Sequence, residues 1–139
     1  MSRVFLDTNF FVYASDDGAP GKRDRARQLW SEMLVSADLP VISTQVLQEY
    51  YNILTHKLRL RPADARTKVL LLGNIDTVLI NPVLIEQAMD LHGRDTISFW
   101  DALIISAAQS VDCDEIWTED MQTNRSYGKL KIVNPFSGT

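Results

Sequence analysis

Short apolar runs and longer stretches with helical periodicity alternate along this chain. The first run, Val4, Phe5 and Leu6, is uninterrupted, which is typical of a strand covered on both faces. Comparable runs predict five strands, at residues 4–7, 40–43, 77–80, 115–118 and 130–133. Apolar residues at helical spacing predict helices at residues 23–36, 45–57, 62–74, 82–91 and 99–111, with a shorter helix after Asn9. This alternation predicts an α/β fold with a parallel sheet flanked by helices.

Length and composition indicate one folding unit. The chain has 139 residues, of which 45% are hydrophobic, so we expect a single domain over residues 1–139 whose core needs no disulfide or structural metal. The lone Cys113 cannot form an internal bridge, which fits a reducing compartment. The sequence shows neither the apolar region of a signal peptide nor an uncharged run of membrane-spanning length. We therefore expect a soluble, cytoplasmic protein without membrane contact.

The charge balance limits how the chain could hold nucleic acid. A formal net charge of -4 argues against binding by bulk electrostatics alone. A phosphate-bearing substrate would need a local basic patch, a bound metal, or both. Basic residues cluster in GKRDRAR and in HKLRLRPADARTK, where a solvated helix surface explains them equally well. The GK pair is not a phosphate loop, because Arg23 stands where Ser or Thr is required.

Two acidic residues follow predicted strands. Asp7 closes the first strand, and Asp120 follows the fourth in the sequence EIWTED. Taken singly, Asp7, Thr8 or Asn9 would cap a helix beginning at Phe10, and TED would close a turn. In a parallel sheet, however, the carboxyl ends of the strands meet at one edge, and ligands bind there. The two acids are therefore candidates for one site.

Two further acidic residues lie among apolar neighbours on predicted helices. Glu49 shares a helix face with Val46 and Ile53, where an unpaired carboxylate would tend to protonate. A rim position that reaches solvent or an arginine is an equal alternative for it. Asp101 lies in the apolar stretch SFWDALI, and its spacing from Ser98 also fits a capping box. A capping carboxylate can still project from a helix start towards a ligand.

A single shared site explains the positions of these four acids better than a separate cap, turn or rim role for each of them. Two of the acids end strands at the same sheet edge, and the helices that carry the other two can lean over that edge. Clustered carboxylates repel one another unless a cation neutralises them. Ligand sets made only of oxygen suit Mg²⁺ or Mn²⁺. The sequence therefore predicts a divalent-metal site.

The ordered motifs resemble those of the PIN-domain nucleases, particularly the VapC-type toxins of prokaryotic toxin-antitoxin systems. The resemblance rests on LDTN, on Glu49 in a mid-chain helix, on SFWDALI, and on TED followed by LKIVNPF. It spans residues 4–136 and implies an α/β/α sandwich with a central, mainly parallel sheet. The implied metal ligands and catalytic residues are Asp7, Glu49, Asp101 and Asp120, with Asn9 and Thr118 as supporting polar groups.

The chemistry that the resemblance implies is cleavage of RNA. A water activated by Mg²⁺ or Mn²⁺ would hydrolyse the phosphodiester bond and leave a 5′-phosphate and a 3′-hydroxyl. The implied partners are an RNA substrate, a cognate antitoxin and a second copy of the chain in a homodimer. The stretch YYNILTHKLRL and residues 70–72 could supply the dimer surface or belong to the core.

We also expect a particular mode of inhibition. The antitoxin would lay an apolar segment along the helices at residues 9–16 and 23–36. It would then direct an arginine or lysine to the four carboxylates, because a guanidinium pairs bidentately with such groups.

The chain departs from many relatives after Asp120. Those relatives place a further acidic residue a few positions on, whereas MQTNRSYG offers only the neutral Thr123 and Asn124. Glu119 could compensate, although adjacent residues at a strand end usually point in opposite directions. The number of metal ions, one or two, stays open.

Two other functions are also open. A phosphoryl-transfer enzyme would use Asp7 as its nucleophile, but DTNFF lacks the second aspartate of the common Asp-x-Asp-x-Thr pattern. An interaction module would keep the fold for partner binding alone, and failure to bind Mg²⁺ or Mn²⁺ would favour it. The three tryptophans are expected in the core or an interface rather than in base stacking: Trp30, Trp100 and Trp117.

Overall fold

A six-stranded sheet lies at the centre of the structure, a computed structural model that describes residues 2–138. The strands are β1 Arg3–Leu6, β2 Leu39–Ser43, β3 Asp76–Val78, β4 Glu115–Trp117, β5 Ser126–Tyr127 and β6 Leu130–Val133. Strands β1, β2, β3, β4 and β6 pair in parallel, and β5 pairs with β6 in antiparallel orientation. The predicted α/β fold with a mainly parallel central sheet is confirmed.

Helices connect the strands and flank the sheet. They are α1 Thr8–Ala14, α2 Pro20–Val35, α3 Thr44–His56, α4 Pro62–Leu70, α5 Pro82–Arg94 and α6 Phe99–Ser110, and a 3-10 turn, Leu71–Asn74, follows α4. Helix α1 packs against α2 and α3, and α5 packs against α6. Over residues 2–138, none of the helices combines the length and apolar character needed to span a bilayer.

The strand order β3-β2-β1-β4-β6-β5 places a topological switch beside β1. The chain first adds β2 and β3 on one side of β1, and later adds β4 and β6 on the other side. Leu6 at the end of β1 is paired with Trp117 at the end of β4. In open parallel sheets such a reversal leaves a crevice at the carboxyl ends of the strands, where ligands bind.

Strand residues make up the centre of the core. Phe5, Leu6, Ile42, Ile116 and Ile132 are all completely inaccessible to solvent. Burial of each such side chain contributes about 1.5–3 kcal/mol of transfer free energy. The sheet is therefore the rigid part of the molecule, and residues that directly follow β1 and β4 start from fixed positions.

Several predicted boundaries were wrong by a few residues. Helix α1 begins at Thr8 instead of Phe10, so Asp7 is its N-cap residue. Helix α2 begins at Pro20 and not at Arg23, because proline has a suitable backbone angle and needs no amide bond in the first turn of a helix. Strand β3 ends at Val78, two residues before the predicted end, and the two-residue strand β5 was not predicted.

Candidate active site

Two neighbouring parallel strands bring Asp7 and Thr118 together. The Asp7 amide donates to the Trp117 carbonyl at 3.1 Å, which continues the β1–β4 ladder by one step. The Thr118 hydroxyl then donates to Asp7 Oδ2 at 2.8 Å, and both side chains are buried. The expected meeting of the first and fourth strand ends is thus present in the structure.

Asp7 is an acid held in an environment that disfavours its charge. Burial is the main reason that its pKa rises from 3.8 to about 6, and Glu49 and Asp120 add to the rise. Hydrogen bonds from Thr118 and from the Thr8 amide, at 2.7 Å to Oδ1, act in the opposite direction. Both oxygens of the carboxylate are therefore oriented by protein donors.

Asp120 is held by the two polar groups that were expected to support the site. The Asn9 amide nitrogen donates to Asp120 Oδ2 at 2.8 Å. The backbone amide of Asp120 donates to the Thr118 hydroxyl at 3.1 Å. Thr118 therefore connects the backbone of one acid to the side chain of the other, Asp7.

Glu49 extends from the second turn of α3 towards the same edge. Its Oε1 atom is buried and has no hydrogen-bond partner among the protein atoms of residues 2–138. Burial raises its pKa, and the charges of Asp101 and Asp120 raise it further. An unpaired buried carboxylate oxygen is costly, so a cation or a hydrogen-bond donor is needed there.

Asp101 lies in the first turn of α6. Ser98 is the N-cap residue, and its hydroxyl accepts from the Asp101 amide at 3.0 Å. This is half of the predicted capping box; the return bond from the Asp101 carboxylate is absent from the described chain. Burial raises the pKa of Asp101, and Asp120 contributes to the rise. A hydrogen bond with Ser98 partly offsets the rise, and the carboxylate shares a cavity with Asp120.

The four predicted acids form one electrostatic cluster. Desolvation is the largest cause of the raised pKa of each, and each is also affected by the charge of at least one acidic neighbour. Within residues 2–138, no three His, Cys, Asp or Glu side chains are already arranged as a metal-binding group. Such a cluster would need some side-chain movement to surround a cation.

The donor set nevertheless fits a divalent cation. All four side chains offer oxygen, the ligand atom that Mg²⁺ and Mn²⁺ prefer. Glu49 Oε1 lacks a partner, as do the buried Thr8 and Ser43 hydroxyls at the same sheet edge. Burial is the main cause of the four raised pKa values and repulsion adds to it; a cation would offset both effects and would occupy the unpaired oxygen of Glu49.

Glu119 points away from this cluster. It forms a salt bridge with Lys22 at 2.9 Å and accepts a hydrogen bond from the Tyr13 hydroxyl. Burial acts to raise its pKa, but the bonds from Tyr13 and Lys22 outweigh that effect and lower it. Glu119 is therefore committed to this pair and does not replace the missing acid after Asp120.

Only some residues of the two basic stretches are available to bind phosphate, because others form salt bridges within the protein. Lys22 is paired with Glu119, and Arg23 is paired with Asp17 and Asp24. In the second stretch Arg61 contacts Asp64, while the exposed residues include Lys57, Arg59 and Arg66. Sequence reasoning did not select Arg125, whose side chain lines the same cavity as Asp101 and Asp120.

Two apolar features of the surface lie near the site. Trp30 and Trp117 pack against the core, whereas Trp100 is 63% exposed, so of its two predicted locations, core or interface, only the interface remains. A separate groove of about 450 Å³ lies between α1, α2, α3 and the end of α4. Its apolar lining includes Phe10, Phe11, Ala14, Trp30, Tyr50, Leu71 and Leu72. This groove coincides with the surface expected to receive an apolar segment.

The sequence that forms this sheet and its carboxylate cluster matches a known protein family. The family model described as "PIN domain" matches residues 4–128, and the chain therefore belongs to the PIN-domain family. No curated protein sequence matches the chain.

Solved structures similar to this chain come from toxin-antitoxin systems. VapC20 of Mycobacterium tuberculosis, described as a sarcin-ricin loop cleaving toxin, has 22% identity and a TM-score of 0.68 over 84% of this chain and 89% of that one. VapBC2 of Rickettsia felis, bound to a promoter DNA fragment, has 18% identity and a TM-score of 0.67, with coverage of 94% and 96%. A toxin-antitoxin complex from Klebsiella pneumoniae has 18% identity and a TM-score of 0.69, with coverage of 95% and 97%. At these identities the likeness shows a shared fold.

Proposed function

We propose that this chain is a Mg²⁺- or Mn²⁺-dependent endoribonuclease and the toxin of a toxin-antitoxin pair. The observation that carries the proposal is the cluster of four carboxylates at the switch point between β1 and β4. Membership of the PIN-domain family supports a nuclease. The similar fold of VapC20, a sarcin-ricin loop cleaving toxin, supports RNA as the substrate class.

The metal would be held by Asp7, Glu49, Asp101 and Asp120. When bound, it would supply charge neutralisation at the phosphoryl group and acidify the attacking water. Thr118 keeps Asp7 oriented, and Asn9 does the same for Asp120, so these two polar side chains act as positioning residues. The unpaired Oε1 atom of Glu49 supports its assignment as a metal ligand, because a cation would satisfy that buried oxygen.

The geometry disfavours the alternative in which Asp7 is a covalent nucleophile. Its side chain is 5% exposed, and its two oxygens already accept hydrogen bonds from Thr8 and Thr118. An attacking carboxylate oxygen needs an open approach to phosphorus. A ligand position tolerates such burial better, because a cation can share the remaining lone pairs of both oxygens.

An antitoxin partner and a homodimer belong to the same proposal. The apolar groove beside α1 and α2 supports an apolar antitoxin segment as one occupant. Of the expected dimer residues, Tyr50 and Leu54 are buried, whereas Leu70 and Leu71 are 61% and 73% exposed. The exposed pair could therefore serve a partner surface. Light scattering that shows only monomer at micromolar concentration would contradict the dimer.

The test of the nuclease proposal is the activity of Asp7→Asn and Asp101→Asn on RNA with Mn²⁺. We expect both variants to stay folded and to lose cleavage, because each loses a metal ligand while repulsion in the cluster falls. Asp64→Asn is the matched control, since it neutralises an exposed acid elsewhere. Analysis of the product ends should show a 5′-phosphate. Full activity of either site variant would contradict the mechanism.

A further inference from the structure

A small cavity adjoins the carboxylate cluster and has an arginine in its lining. Its volume is about 240 Å³, and its lining includes Asp101, Asp120, Arg125 and Tyr127. Ser98 and Gln122 add polar groups. The cavity therefore combines a metal-binding wall, a basic group and hydrogen-bonding side chains within the reach of one or two nucleotides.

The guanidinium of Arg125 is held in place by two contacts. Its Nη2 atom lies 3.2 Å from Asp95 Oδ2, and its carbon lies 4.8 Å from the centre of the Tyr127 ring. The side chains of Arg125 and Asp95 are 32% and 29% exposed. A partly desolvated arginine with a stacked aromatic ring loses little further freedom when it binds an anion.

The backbone of Arg125 is also fixed. Its carbonyl accepts from the Ile132 amide at 2.9 Å, and the preceding Asn124 donates its amide to the Ile132 carbonyl at 2.9 Å. Asn124 has a positive φ of 64°, a conformation that asparagine tolerates better than most residues. This turn aims the arginine towards the cavity from the edge of the sheet.

The salt bridge of Arg125 is formed with Asp95 and not with one of the candidate metal ligands. An arginine this close to a carboxylate cluster would be expected to collapse onto Asp101 or Asp120 and compete with a cation. In the part of the chain that the structure describes, its salt bridge is to Asp95 instead. A guanidinium has five N–H donors, and the closest contact with Asp95 is made by Nη2. Donors therefore remain for a second anion.

We propose that this cavity binds the RNA strand beside the scissile bond, with Arg125 donating to a non-scissile phosphate. The inference rests on the proposed ribonuclease function and deepens it. Four clustered acids repel a polyanion, so the strand needs a fixed cation next to them. Asp95 is a positioning residue, because its contact with Nη2 keeps Arg125 separate from the metal ligands.

The test compares two variants that break the same salt bridge from opposite sides. Binding of a short, fluorescein-labelled single-stranded RNA of mixed sequence is measured by anisotropy in an Asp7→Asn background, which keeps the RNA intact. We expect Arg125→Gln to weaken binding about tenfold and to reduce the slope of log K against log salt by about 0.7. Arg125→Lys should recover part of both losses, since a lysine keeps the charge but not the fork.

Asp95→Asn separates phosphate binding from a purely structural role. It removes the negative charge beside Arg125 but keeps an amide oxygen that can accept from Nη2, so the arginine stays positioned and we expect RNA binding at least as tight as that of the parent. Lys129→Gln is the matched charge control, because Lys129 pairs with Asp114 just before β4, at the opposite edge of the sheet. Thermal unfolding of each variant checks that the fold is retained.

The outcomes distinguish this inference from the function on which it rests. In the otherwise unchanged protein, Arg125→Gln should raise KM for RNA cleavage and leave kcat nearly unchanged. If Asp95→Asn weakens binding as much as Arg125→Gln does, the pair is only structural and the inference is wrong. It is also wrong if the unchanged protein cleaves RNA and Arg125→Gln matches its KM and salt slope. Absence of both binding and cleavage in the unchanged protein would instead overturn the ribonuclease function.

Discussion

The hydroxyl of Thr118 donates to Oδ2 of Asp7 across 2.8 Å, although 111 positions separate the two residues in the sequence. The same hydroxyl accepts the backbone amide of Asp120 at 3.1 Å. One buried side chain thus sets the orientation of one acid and the backbone position of another. The pairing of β1 with β4 is what makes this contact possible.

Removal of this hydroxyl should change the site more than the fold. We expect Thr118→Val to leave Asp7 Oδ2 without its donor, to raise the pKa of Asp7 further, and to lower the free energy of unfolding by about 1–3 kcal/mol. The acidic limb of the pH–rate profile for RNA cleavage should move to higher pH. Thr118→Ser is the control and should restore the profile, since it returns the hydroxyl. An unchanged profile in the valine variant would contradict a positioning role for Thr118.

The buried charge of Asp7 should reduce stability at neutral pH when no divalent cation is present. The pKa of Asp7 is about 6 in the folded protein against an ordinary value of 3.8, so the folded state binds this proton more tightly than the unfolded state does. Its contribution to stability is therefore complete below about pH 4 and falls as the pH rises to about 6. Above that pH, Asp7→Asn should be more stable than the unchanged protein by up to about 3 kcal/mol.

The measurement is chemical denaturation of both proteins in EDTA across this pH range. The two stabilities should converge at the acidic end, where both states of the unchanged protein carry the proton. Asp64→Asn controls for the change in net charge at an exposed position. A stability difference that stays constant with pH would show that Asp7 is not the group responsible.

Divalent cations should bind and stabilise the protein. At a concentration one hundred times its dissociation constant, a cation that binds only the folded state adds about 2.7 kcal/mol to the free energy of unfolding. We expect Mn²⁺ to raise the melting temperature, and Glu49→Gln and Asp120→Asn to reduce that rise. Titration calorimetry gives the affinity directly, with Asp90→Asn as the control for an exposed acid. No binding of Mg²⁺ or Mn²⁺ would favour the interaction module over the enzyme.

Inhibition by an antitoxin should weaken as Mg²⁺ or Mn²⁺ is raised. We expect an arginine or lysine of the partner to compete with the cation for the four carboxylates. The measurement is RNA cleavage in the presence of a protein encoded by an adjacent gene, over a range of metal concentrations that saturates the free enzyme. Inhibition that is independent of the metal would mean that the partner blocks RNA elsewhere.

A pair of surface variants tests the docking position of the same partner. Leu71→Asp places a charge in the apolar groove and should weaken inhibition without affecting cleavage. Leu34→Asp makes the same change at a similarly exposed residue that does not line the groove, and it should leave inhibition intact. Equal effects of the two variants would contradict docking in the groove.

The sequence predicted the strands that carry the site because those strands are buried on both faces. An uninterrupted apolar run such as Val4, Phe5 and Leu6 predicts a buried strand, and all three side chains are buried. The polar residues that follow a buried strand are then expected at the edge of the sheet. Helix starts were less predictable. The turn-like sequence GAPGK concealed the start of α2, since proline is common both in turns and in the first turn of a helix.

Residues whose role depends on long-range packing could not be predicted in this way. Arg125 precedes a two-residue strand that has no hydrophobic pattern, and its partner Asp95 lies 30 positions earlier. Trp100 is a large hydrophobic residue with apolar neighbours in the sequence, which is typical of a core position. It lies in the first turn of α6, however, and its side chain is exposed to solvent. The side chain of Glu119 was predicted to point away from the site, because adjacent residues at a strand end point in opposite directions and Asp120 faces the site.

The four acids enter the chain far apart, at positions 7, 49, 101 and 120, and β4 also needs β6 as its neighbour. During synthesis the amino-terminal half leaves the ribosome first and begins to collapse, but it contains only two of the four carboxylates. Non-local strand pairing is then required to bring the other two to the same edge. Any catalytic power of this site would therefore arise only after β6 has been translated, and fragments that end before it would be inert.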